Sequence, residues 1–171
     1  MFRGMVAAAF LVACMAPGTA VAERAPVQTA TYSLRLSDDW AEAPSNDDEQ
    51  RTFVSRSRDV RLVVSSMPAA IPADRFEEIA RFVVDRRIEL ERQFAAERGQ
   101  RVSIAGPVVI SEAWGTSMSY TGAYSGGRQF SYSGSVTRTQ VFNLYLESET
   151  LSHQQIIAVS AEVAAGLDFT F

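Results

Sequence analysis

The chain of 171 residues contains no lysine: all 16 of its basic residues are arginine. Schiff-base chemistry, a lysine general base and a Walker-type phosphate loop all need an ε-amine, so each is excluded. Cysteine is almost as scarce. Cys14 stands alone, which excludes intrachain disulfides and sites built from several thiolates. His153 is the single histidine, so a multi-histidine metal centre is impossible and a Ser-His-acid triad has one candidate base. No apolar run reaches the roughly 20 residues a membrane-spanning helix requires. A formal net charge of −4 argues against nucleic acid as a partner.

What is present begins with a leader. Arg3, an apolar stretch over residues 4–16 and the small-residue run "PGTAVA" ending at Ala22 have the three regions of a secretory signal peptide. Residues 1–22 are expected to be removed, leaving 23–171 as one cysteine-free domain, periplasmic or secreted. Within the leader, "LVAC" ending at Cys14 also has the form of a lipobox; acylation there would make an outer-membrane lipoprotein, and is the only route to the membrane the sequence offers.

Along the domain, "TYSLRLSDDW" alternates like a half-buried strand and stops at a Ser-Asp-Asp turn. Two further strands, "RTFVSR" and "VRLVVSS", are joined by a turn at residues 57–59. After a linker marked by Pro68 and Pro72, the spacing predicts a long helix over 74–98. Asp74 and Glu77 have capping-box spacing, and Gly99 supplies the stop. Its expected apolar face is Phe76, Ile79, Ala80, Val83, Leu90 and Phe94, with Arg87 projecting into the middle of it, its stem along the core and its guanidinium reaching the sheet edge or pairing with Glu91. A second helix is predicted over 152–165, again with a capping box, Ser152 and Gln155, and with Gly166 after its end.

The most informative stretch is "SMSYTGAYSGGRQFSYSGSV", residues 117–136. A two-residue loop at Gly126 and Gly127 would point the aromatic rows of the two strands to opposite faces. A three-residue loop over 125–127 pairs Tyr124 with Arg128, Gly122 with Phe130, Tyr120 with Tyr132 and Met118 with Gly134, and puts the rings on one face. Phe130 then covers the bare backbone of Gly122. The opposite face is polar and shallow, from Ser117, Ser119 and Thr121 to Ser131, Ser133 and Ser135. "VFNLYLE" is apolar on both faces, as are "RLVVS" and "PVVI", so these strands should be covered on both sides. The expected class is α+β: an antiparallel sheet of six or seven strands sandwiched between helices, with the long helix after the third strand and a second one near the C-terminus.

This order of elements, with a strand ending at Trp40, a strand pair, a long helix after a proline-marked linker, a central "Y-x-G-x-Y…F-x-Y" hairpin and a closing helix and strand, resembles the PsbP-like fold of photosystem extrinsic subunits and DcrB-type envelope proteins. The resemblance implies a non-enzymatic accessory domain that binds a larger assembly, and it transfers no specific binding residue.

The expected function is therefore a non-catalytic envelope module recognising a protein partner, without metal or cofactor. Its surface would be the polar hairpin face rimmed by Trp114, Arg128 and Arg138, because aromatics and arginine anchor interfaces. A toxin-neutralising immunity protein is one specific form. The alternative is a small-ligand carrier with a pocket lined by Tyr120, Tyr132 and Phe76, in which Arg87 meets an anionic head group. Rim aromatics Trp114, Tyr124 and Trp40 are the other candidate platform. An exported hydrolase, the remaining class, would need His153 or a carboxylate pair in a cleft. The acidic loop at residues 45–50 has oxygen ligands but neither the spacing nor the glycine of an EF-hand.

Overall fold

The computed structural model of the chain describes residues 26–44 and 50–169. The leader with Cys14 and residues 45–49 of the acidic loop lie outside these described residues.

Seven antiparallel strands form the main sheet, in the order β3 (Trp40–Ala43), β4 (Gln50–Ser55), β5 (Val60–Pro68), β9 (Gln140–Ser148), β8 (Gln129–Val136), β7 (Gly115–Tyr124) and β6 (Val102–Glu112). After β5 the chain crosses to the far edge through α1 (Phe76–Glu97), and then returns strand by strand until β9 lies beside β5. The N-terminal and closing strands stand apart. There β2 (Tyr32–Leu34) pairs with both β1 (Val27–Gln28) and β10 (Leu167–Phe169) in a separate small sheet. With α2 (His153–Ala165) behind the main sheet, the class is the expected α+β sandwich.

The central hairpin has the three-residue loop. Tyr124 N donates to Arg128 O at 2.9 Å, Gly127 takes φ +96°, and Tyr120 faces Tyr132 while Gly122 faces Phe130. Its rings turn inward together: Tyr120, Tyr124, Phe130 and Tyr132 are all buried in one core with Phe76, Ala80 and Val84 of α1. The opposite face of the sheet carries a second core, where Phe142, Leu144 and Leu146 of β9 meet Ile156, Val159 and Val163 of α2. Because successive side chains of β9 point to opposite faces, one strand serves both cores.

Several local expectations need correction. The buried stripe of α1 is Phe76, Ala80, Val84, Ile88, Glu91 and Ala95, rotated from the expected face, and Phe94 is 47% exposed. That stripe is packed against the aromatic wall of the sheet, with the small residues Ala80 and Ala95 buried beside the rings. Asp74 and Glu77 form no capping box: α1 is entered through a 3₁₀ turn, Ala73–Arg75, with no side-chain cap, and Glu77 is held by Arg81 one turn on. The "PVVI" run is not covered on both sides, since β6 is an edge strand with Val108 and Ile110 about half exposed, and neither is "RLVVS" of β5, whose Val63 lines an open cleft beyond the reach of α1. Trp40 opens β3 instead of ending the strand before it, while the other helix-end signals hold. Ser152 and Gln155 cap α2 reciprocally, and Gly99 ends α1 at φ +65°.

Each helix covers only part of its face. α1 packs on β6, β7 and β8, so the same face of β3, β4 and β5 extends beyond it.

Candidate functional site

That lateral offset produces a trough between the flank of α1 and the uncovered part of the sheet. Two adjoining clefts of about 340 Å³ each make it up, and both are lined by Gln50 and Arg87. One runs past Phe94 and Arg98 of α1 and over Tyr145 of β9; the other passes Phe82 and Arg86 and reaches Met67 of β5 and Asn143 of β9. Strand register explains the floor. Val63 pairs with Tyr145 and Ser65 with Asn143, so these side chains share the α1-facing side.

Arg87 occupies the junction. Its guanidinium carbon lies 4.5 Å from the centroid of the Tyr132 ring and 5.7 Å from that of Tyr145, so its stem crosses the margin of the core and its charge rests on two π-faces. It neither runs on to the sheet edge nor is held by an ion pair with Glu91 like those seen elsewhere on α1. Arg87 Nε and the Tyr120 hydroxyl are buried without a hydrogen-bond partner among the described residues. Burial pushes the Tyr120 phenol up to about 12, with the nearby Arg87 charge pulling the other way. Burial raises Tyr132 and Tyr145 further.

Glu91 is taken up by Tyr124, whose hydroxyl donates to Glu91 Oε2; burial first, and then this pairing, keep that phenol protonated far into the alkaline range. Glu147 is likewise engaged, by Arg61 Nη1 at 3.3 Å and Arg128 Nη1 at 3.2 Å. The two carboxylates that line the trough are therefore partnered from within the protein.

The expected partner surface is divided by the fold. Trp114 and Arg138 do line one cleft, with Ala113 and Thr139, and the Trp114 ring lies 6.0 Å from Phe169. Arg128 is at the opposite end of the β7–β8 hairpin, beside the trough, so the three rim residues do not form one surface. Part of the polar hairpin face is not free: Ser131 and Ser135 are buried, and Ser131 Oγ donates to Ser160 Oγ of α2 at 3.1 Å. His153 is exposed in the first turn of α2, its Nε2 3.4 Å from Thr121 Oγ1.

For the ligand-carrier reading, Phe76, Tyr120 and Tyr132 are packed core side chains and do not line an opening; of that set only Arg87 borders the trough, where the rim candidate Tyr124 joins it. Trp40 is 2% exposed in the opposite core and is no rim residue. Sequence reasoning missed Phe82, Arg86, Phe94 and Arg98. One signal was available: at 100° per residue Phe82 lies about 200° round the helix from Val84, a large ring on the solvent side. It is 70% exposed.

No protein-family model matches the chain, and no curated protein matches its sequence. Solved structures do match. The cyanobacterial PsbP protein CyanoP of Synechocystis sp. PCC 6803 superposes with a TM-score of 0.67 at 13% identity, covering 91% of this chain and 98% of that one. LpqN of Mycobacterium tuberculosis, a protein involved in cell envelope biogenesis, superposes with a TM-score of 0.51 at 13% identity, covering 88% and 91%. At such identity the likeness is one of architecture, and what it establishes is that this chain has a PsbP-like fold.

Proposed function

We propose that the protein is an exported, non-catalytic accessory module of the cell envelope that binds a protein partner through the trough beside α1. The observation that carries this reading is the trough itself. It is long, open to solvent and banked by two exposed phenylalanines, Phe82 and Phe94, whereas the aromatic face that would enclose a ligand in the alternative carrier reading is filled by packed side chains. Apolar rings next to arginines on an open surface are the usual anchors of protein interfaces. The PsbP-like fold supports the reading, since the proteins it superposes on include a PsbP and a protein involved in cell envelope biogenesis.

The full chain, tagged and expressed in its own host, is expected to co-purify from detergent-solubilised envelope with one partner in stoichiometric amount. A Phe82→Ser, Phe94→Ser double variant should fold and lose that partner. Recovery of a partner-free monomer from wild type, or of the same partner with the double variant, would overturn the assignment.

A further inference from the structure

We infer that the trough receives an extended, acidic segment of the protein partner, laid along α1 with a carboxylate against Arg87. This rests on the preceding reading and specifies the chemistry of the bound segment.

Charge is the first ground. The protein is acidic overall, at −4, yet the trough is lined by Arg61, Arg86, Arg87, Arg98 and Arg128. Among the described residues the carboxylates lining it are Glu91 and Glu147, engaged by Tyr124 and by Arg61 with Arg128; Arg86 is paired with Glu89 and Arg128 also with Glu149, which leaves Arg87 and Arg98 without an ion pair among the described residues. A local excess of positive charge on an acidic molecule steers and orients an anionic partner. Arg87 is the focus, because its guanidinium is supported by two tyrosine rings and borders both clefts. A carboxylate meeting it there would be partly desolvated, where a charged hydrogen bond is stronger than in open water.

Shape is the second. From Phe82 to Arg98 the helix rises about 24 Å, the length of about seven residues of extended chain. Arg86, Arg87 and Arg98 are spread along that distance, and Arg61 and Arg128 are already drawn together on Glu147, so the arginines are not gathered round one open point as a compact phosphate would need. Phe82 and Met67 in one cleft and Phe94 in the other give apolar contacts on either side of the charged centre. An extended chain with acidic residues in the middle and apolar ones at its ends matches this order.

The test uses the full folded domain and a fluorescein-labelled heptapeptide with three central glutamates and a leucine at each end, beside the same peptide with glutamines. Anisotropy titration should show binding of the glutamate peptide at least about tenfold tighter than the glutamine peptide, as expected for a few charge pairs. Amide shifts should move at Arg87, Phe94 and Asn143. Arg86→Glu and Arg98→Glu, both at exposed positions that leave the fold intact, should each weaken binding about threefold or more. Equal affinity for the two peptides, shifts located elsewhere, no binding, or tighter binding to phosphatidylglycerol vesicles than to the peptide would overturn the inference. A partner captured from the envelope fraction would still uphold the function proposed above, so the two failures are distinguishable.

Discussion

The guanidinium of Arg87 lies 4.5 Å from the centre of the Tyr132 ring, so a charge carried by the long helix rests directly on the aromatic wall of the sheet. Replacing it with methionine keeps the stem and removes the cation. Arg87→Met is expected to lose about 1–2 kcal/mol, the value of a partly desolvated cation–π contact. Urea unfolding should show the loss, while Arg81→Met on the exposed face should stay within about 0.5 kcal/mol of wild type.

All five tyrosines have phenols raised above the usual value, and burial is the largest cause for each. Below about pH 10, folded and unfolded chains both keep the phenol proton, so these groups add no pH dependence. Above it the unfolded chain loses protons that the folded chain retains, and stability must fall as pH rises. Tyrosinate absorbance near 295 nm is therefore expected to stay flat to about pH 11 and then to rise together with loss of the far-ultraviolet circular dichroism. A normal titration near pH 10 in the folded state would contradict this.

Gly122 is a position where a side chain has no room. A Cβ there would stand 2.3 Å from Phe130 Cζ and 2.6 Å from Ser103 O. Gly122→Ala must displace a buried ring that cross-strand pairing holds in place, and should cost about 1–3 kcal/mol. The larger deletion Phe130→Ala should cost about 3–5 kcal/mol. Both are measured as shifts in the urea midpoint with an unchanged slope.

Two predicted helix starts have capping-box spacing and only one forms the motif. Ser152→Ala is expected to cost about 1 kcal/mol, because it removes the hydroxyl that accepts from Gln155 N. Asp74→Ala should be near neutral, within about 0.5 kcal/mol, since that residue lies in the 3₁₀ turn before α1 and caps nothing. Thermal unfolding of the two variants side by side separates them.

Local pattern reached further here than spacing motifs did. The hairpin loop was legible because residues opposite one another must share a face, and only one loop length puts Tyr120, Tyr132 and Phe130 on the same side. The double-sided apolar run of β9 likewise announced a sheet covered on both faces. The cap of α1 was not legible, since an Asp three residues before a Glu says nothing about whether a proline-bracketed linker enters the helix through an α or a 3₁₀ turn.

What the amino-acid order determined by itself is the set of elements, the inward turn of the aromatic rings and the register of the central hairpin, because these follow from alternation and spacing within a short length of chain. Only the tertiary structure decided where α1 rests across the sheet, and with it which flank of the helix stays open. That offset depends on how small residues such as Ala80 and Ala95 meet rings arriving from β7 and β8, distant strands whose placement no local period encodes. The trough, its arginines and the exposure of Phe82 and Phe94 come from this packing, so they emerge once the layers are assembled.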